Sequence, residues 1–340
     1  MQPRHTSHFS RSYTSFGFLI LALLLMVIFG LALSKGAVPL SMIAIFDGSA
    51  SSLETTVFNQ LRAPRVFLSA TVGASLAVSG AVLQGLFRNP LADPGLIGVS
   101  GGAALGAVAM IVFGSSLALP EVVTPYSLPV AAILGAMVVT LFLYSFSAYY
   151  GQFSVVTVLL AGIAINALST VGIGVFQYLS DDAQLRTLVF WMMGSFGRAN
   201  WITVIPSTFV MLVGVVILIF HSRQLDRLQL GEAEAFYLGV KVNRLKRVII
   251  LVSAVCVGAG VALSGIIGFV GLVVPHLVRL TLGVRHSILL FGSALMGASL
   301  MILADLVSRI AITPAELPVG LVTSALGAPF FLWLIARARD

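Results

Sequence analysis

The stretch RNPLADPGLIGVSGG, from Arg88 to Gly102, interrupts two long apolar runs with an arginine, an aspartate and two prolines. Pro90 and Pro94 each lack a backbone donor and forbid one continuous helix through the segment. Gly95 permits a sharp re-entry of the chain, and Asn89 and Asp93 can hydrogen-bond backbone groups that the turn frees. The segment reads as a polar turn between two membrane helices. On its residues alone it is a tight interhelical connection fastened by Asp93.

The composition agrees with a membrane setting. Of 340 residues 59% are apolar and 9% charged, with mean hydropathy +1.06, where a soluble domain carries roughly a quarter charged residues. This is the pattern of an all-α polytopic membrane protein, a single transmembrane domain over 1–340. One cysteine, Cys256, leaves no internal disulfide. The polar start MQPRHTSHFSRSYTS precedes an apolar core from Phe16 to Ser34 that is long enough to span and shows no obvious small-residue cleavage site. It reads as a retained first helix.

At roughly 20 residues per span, helices are expected over Phe16–Ser34, Arg65–Phe87, Gly95–Gly114, Leu128–Tyr149, Phe153–Leu179 and Trp201–Phe220. After a charged interval come Arg247–Gly268, a shorter Gly271–Leu282, Ser287–Leu306 and Leu317–Ala336, about ten in all. With both termini cytoplasmic, thirteen of the nineteen Lys and Arg fall inside, among them Arg88, Arg223, Arg227, Arg279 and Arg285. The positive-inside rule favours that orientation. Topology and lipid headgroups account for the basic balance, so no nucleic acid is called for.

Val72–Ala81 and Val257–Ile266 match at six of ten positions with an offset of 185, which also carries Pro90 onto Pro275. Small residues of this kind let helices approach closely in lipid. The likeness suggests inverted halves over about 61–180 and 247–336, joined through a cytoplasmic loop at 222–246. That loop lies in SRQLDRLQLGEAEAFYLGVKVNRLKR, Ser222 to Arg247. Gly231 breaks the chain there, and Glu232 to Leu238 form good helical sequence ended by Gly239. It is either a solvated, headgroup-binding loop or a docking element.

No catalytic, cofactor or metal site is legible. There is no GxxxxGK[ST] phosphate loop, the only lysines are Lys35, Lys241 and Lys246, and the five histidines show neither HExxH nor paired ligand spacing. The chain of intramembrane carboxylates that a proton-coupled carrier wants is missing. Asp305 stands four residues before Arg309, as an internal pair would.

LRAPRVFLSATVGASLAVSGAVLQGLFRNPLADPGLIGVSGGAALGA, LGEAEAFYLGV, SGIIGFVGLVVPHLVRL and ADLVSRI followed by ELPVGLVTSALGAPFFLWLI closely resemble the FecCD-type permeases of binding-protein-dependent ABC importers. The resemblance runs in order from about Leu61 to Ile335. That family imports cobalamin, heme and ferric siderophores. NPLADPGLIGVSGGAALGA and FWMMGSFGRANW are most similar to its heme permeases. The resemblance implies a type II importer in the bacterial inner membrane. Two copies form a homodimer around a central pathway, two ATPase subunits hold ATP and magnesium beneath, and a periplasmic binding protein sits above. Heme is then cargo and not a cofactor, with a ferric siderophore or cobalamin as the alternative.

The resemblance also implies roles for particular residues. Asn89 and Leu91 match the family's cytoplasmic gate, with Tyr150 and Ser154 a second gate element by topology alone. Gly231, Glu232, Glu234, Phe236, Leu238 and Gly239 fall on the segment that couples to the ATPase. Arg62, Arg65 and Arg309 match arginines that dock the binding protein; the alternatives are headgroup anchoring and, for Arg309, a bond to Asp305. Met192, Met193, Phe196 and Trp201 lie in the heme-permease-like stretch and are expected along the pathway.

Overall fold

Backbone polar groups in a bilayer must be satisfied within the chain, which leaves helices as the only solution for so apolar a sequence without a barrel pattern. The computed structural model describes residues 6–36, 38–95, 98–149, 155–312 and 315–337. Its helices are α1 (Thr6–Ser34), α2 (Met42–Asp47), α3 (Ser52–Thr56), α4 (Ala63–Phe87), α5 (Val99–Phe113), α6 (Thr124–Tyr149), α7 (Val155–Leu179) and α8 (Asp182–Met192). They continue with α9 (Trp201–Phe220), α10 (Ser222–Leu228), α11 (Glu232–Tyr237), α12 (Val242–Ser264), α13 (Val270–Thr281), α14 (His286–Ile310) and α15 (Val319–Arg337).

Among the described residues eight helices are long and apolar enough to cross a membrane, and the shorter apolar α13 and α15 bring the set to the ten expected. Two of the differences from the expected bounds have a structural cause. The second span does not start at Arg65: α3, a π-helical stretch (Val57–Arg62) and α4 run on without a break from Ser52 to Phe87. The seventh stops at Ser264, because Gly265 (φ 71°) and Phe269 (φ 68°) take left-handed conformations that no continuing helix allows.

The bundle is built around α4, which packs against α14, α9, α12 and α13. Glycine makes the closest contacts possible. A Cβ on Gly73 would strike the Gly297 carbonyl, and one on Gly80 the Gly271 carbonyl. Gly102 and Gly135 meet in the same way between α5 and α6. These are helix approaches that only small residues permit in lipid. The two similar small-residue stretches fall on α4 and α12, which also touch each other. Their prolines differ in setting: Pro90 lies in the turn after α4, whereas Pro275 is inside α13.

Candidate translocation and coupling sites

At one end of the bundle α1 finishes with backbone carbonyls that its own helix cannot satisfy. Two arginines from elsewhere in the chain supply the donors. Arg62 Nη1 reaches Leu33 O at 3.0 Å and Ser34 O at 2.6 Å, and its Nη2 donates to Val38 O. Arg309 donates to Ala32 O from Nη1 at 3.1 Å and from Nη2 at 3.2 Å. Cations at a helix C-terminus also answer its dipole. Arg309 Nε lies 3.2 Å from Asp305 Oδ2, while Asp305 Oδ1 accepts from Arg65 Nε at 2.8 Å. Arg65 Nη1 then reaches Glu316 at 2.9 Å. A single clasp thus joins α1, α4, α14 and the segment before α15.

Beside the clasp, three breaks in helices are sewn together by backbone bonds. Ser195 N donates to Ser264 O at 2.8 Å, Val319 N to Gly194 O at 2.9 Å and Gly320 N to Met193 O at 3.2 Å. Irregular backbone at membrane depth survives only where protein or a cavity satisfies it. A small cavity of about 140 Å³ opens here, lined by Phe190, Trp191, Arg198 and Glu316 among others. Trp201 Nε1 donates to Asn59 O at 2.7 Å, tying α9 to the π-helical stretch.

At the opposite end Arg88 closes α4 in a left-handed conformation (φ 49°) and the polar turn follows. Asn89 Oδ1 accepts from Leu91 N at 3.0 Å and Asp93 Oδ1 from Gly95 N at 2.7 Å. The Gly95 carbonyl is taken by Asn166 Nδ2 at 2.8 Å, which fastens the turn to α7. Burial pushes the Asp93 carboxyl above its ordinary range, against the opposing pull of the Gly95 N–H.

The same end carries α10 and α11. Lys246 Nζ holds Glu232 at 2.7 Å and so ties the start of α11 back onto α12. Ala235 is buried beneath α11, while Phe236, Tyr237 and Leu238 are 69%, 86% and 50% exposed. Gly239 (φ 81°) and a Val240 N–H to Ala235 O bond of 2.9 Å end the helix. Three adjacent exposed apolar side chains on so short a helix form a tip that suits a protein groove better than water.

Comparison with known proteins agrees with this architecture. The model of the FecCD transport family matches residues 23–337. The chain belongs to the FecCD transport family. This FecCD chain is 46% identical over 324 residues to the hemin transport system permease protein HmuU of Yersinia pestis, covering 95% of this chain and 96% of that one. It is 44% identical over 290 residues to the vitamin B12 import system permease protein BtuC of Vibrio cholerae, covering 85% and 86%. A solved inward-facing structure of a putative metal-chelate type ABC transporter superposes with TM-score 0.84 at 36% identity, over 94% of this chain and 98% of that one. The chain is therefore an ABC importer permease of the FecCD family, an all-helical membrane protein whose family works with ATPase and binding-protein partners.

Within this FecCD permease the expected site residues fall unevenly. Asn89 and Leu91 share the turn, with Leu91 exposed and Asn89 committed to holding it. Tyr150 and Ser154 lie outside the described residues. Phe236 and Leu238 are presented outward between Gly231 and Gly239, with Glu234 exposed, while Glu232 pairs with Lys246 and keeps its side chain 48% exposed. Tyr237 adds to the tip and was missed, although it sits between the two apolar residues singled out.

Arg62, Arg65 and Arg309 are 5%, 8% and 7% exposed, and their guanidiniums bond carbonyls and carboxylates of the same chain. The alternative bond between Arg309 and Asp305 is present. Phe196 is fully buried in the apolar core. Met192, Met193 and Trp201 are half-buried near the broken helices. Glu316 at this mouth is paired with Arg65 yet 47% exposed in its side chain.

Proposed function

We propose that this permease carries heme. The observation that carries the reading is the match to a hemin permease at 46% identity over nearly the full length of both chains. Two copies form a homodimer in the bacterial inner membrane, with both termini cytoplasmic. Two ATPase subunits, which hold the ATP and magnesium, dock on the α10–α11 face, and a periplasmic binding protein delivers cargo at the clasp end. This chain has no ATPase site of its own and holds no cofactor. ATP binding closes the ATPase subunits around the Phe236–Tyr237–Leu238 tip, and the movement reaches α4 and α14 through α10. The turn at Asn89 and Leu91 then opens or closes the inner end of the path, with Tyr150 and Ser154 as its second element. Half-buried Met192, Met193 and Trp201 offer weak apolar contacts that a flat macrocycle can leave again, which conduction needs.

A second reading is favoured by a specific observation, the 44% identity to a vitamin B12 permease. Stimulated ATP hydrolysis separates the two. The complex is mixed with its binding protein loaded with hemin, cyanocobalamin or a ferric siderophore. Stimulation by the hemin-loaded form alone supports heme. Stimulation by the cobalamin- or siderophore-loaded form and not by hemin contradicts it.

A further inference from the structure

Between the end of α4, α10 and the α13–α14 turn lies an open cavity of about 510 Å³. Arg88, Arg279 and Arg285 line it, together with Gln84, Asp226 and His286. The single carboxylate of the lining, Asp226, turns Oδ1 to His286 and accepts there from both the backbone N–H and ring Nδ1. Among the described residues no carboxylate lies within ion-pairing distance of the three guanidiniums. Arg279 Nη1 is buried without a hydrogen-bond partner. A buried guanidinium nitrogen costs free energy unless something accepts from it, so three guanidiniums with no carboxylate partner leave this wall short of acceptors.

We propose that the cavity binds a phosphate group, held by Arg279 and Arg285 with Arg88 at its rim. Planar guanidinium forks match phosphate oxygens through paired, charge-assisted hydrogen bonds. Two sources share that chemistry, an anionic phospholipid headgroup and free phosphate. The surroundings favour the lipid. Just before the turn, Thr281 and Leu282 help line a second space of about 520 Å³, an apolar groove completed by Phe16, Ile20, Leu21 and Met296. An acyl chain fits there while the headgroup reaches past Gly283 to Arg285. Because Asn89 and Pro90 also border the cavity, an occupant would touch the gate turn, α10 and α14 together.

The test uses the complete permease–ATPase complex. Native mass spectrometry counts phosphatidylglycerol retained after exchange from mixed phosphatidylglycerol–phosphatidylcholine nanodiscs, with and without added inorganic phosphate. Retention by the wild type that falls roughly tenfold in Arg279→Gln and in Arg285→Gln, but not in the exposed control Arg244→Gln, supports a lipid-borne phosphate. Inorganic phosphate that binds alone, displaces the lipid and depends on the same arginines supports the soluble source. Arg285 is on the surface and Arg279→Lys keeps the charge, so a folded protein is available even where Arg279→Gln fails. Equal retention in wild type and variants overturns the proposal. So does a wild type that retains neither ligand while Arg285→Gln weakens ATPase association, which would assign the cavity to an acidic side chain of that partner.

Discussion

Asp226 grips His286 twice through one oxygen, taking its backbone N–H at 2.9 Å and its ring Nδ1 at 2.8 Å across 60 residues of sequence. Three residues on, Gln229 Nε2 donates to the Gly85 carbonyl at 2.8 Å. Helix α10 is thereby pinned to the start of α14 and the end of α4, so a push on α11 cannot be absorbed in the loop. Asp226→Ala leaves a buried N–H unsatisfied, at a cost of about 1–3 kcal/mol. We expect ATP hydrolysis to persist while substrate moved per ATP falls severalfold. A coupling ratio equal to wild type would show that force takes another route.

The clasp around Asp305 predicts how arginine substitutions fail. Asp305 is fully buried between Arg65 and Arg309, and removing one partner of a buried ion pair costs about 3–5 kcal/mol. Asp305→Asn should lower the melting temperature of the purified subunit by many degrees. Arg62→Glu with Arg65→Glu should assemble poorly and leave binding-protein association normal in whatever complex survives. A well-folded double variant with slowed association would restore the docking role.

Glycine spacing gives a sharper pair of outcomes. A side chain at Gly80 meets the Gly271 backbone, which cannot retreat, whereas Gly174 has open space around it. Gly80→Val should destabilise by about 1–3 kcal/mol or more. Gly174→Ala should be neutral or slightly stabilising, since its helical backbone suits alanine. Thermal denaturation in detergent reads both, and a tolerant Gly80 would mean that α4 and α13 are not in contact.

The sequence disclosed some of this and hid the rest for physical reasons. Apolar length alone located the ten helices, because a bilayer demands about 30 Å of it. It placed the break after Ser264 a few residues late, since Gly265 to Phe269 stays apolar and the Ser264 carbonyl takes its donor from Ser195, far away in the chain. Arg309 and Asp305 were legible as an i, i+4 pair. Arg65 was not, because its carboxylates lie 240 and 251 residues downstream, and an arginine at a helix mouth looks the same whether its partner is internal or another protein.

The exposed tip separates folding from docking. Phe236, Tyr237 and Leu238 contribute little to the subunit's own core, so Tyr237→Ala and Leu238→Asp should fold normally. Each should weaken ATPase-subunit association roughly tenfold or more, as loss of a buried anchor does. Pull-down of the ATPase at matched permease expression checks this, and undiminished association would move the coupling surface off α11.

Uptake by proteoliposomes holding the assembled complex, with binding protein outside and ATP inside, tests the central claim most directly. The account predicts ATP-dependent accumulation of hemin that excess cyanocobalamin and ferric siderophore leave untouched. Accumulation of cyanocobalamin or a ferric siderophore, with no response to excess hemin, would contradict it.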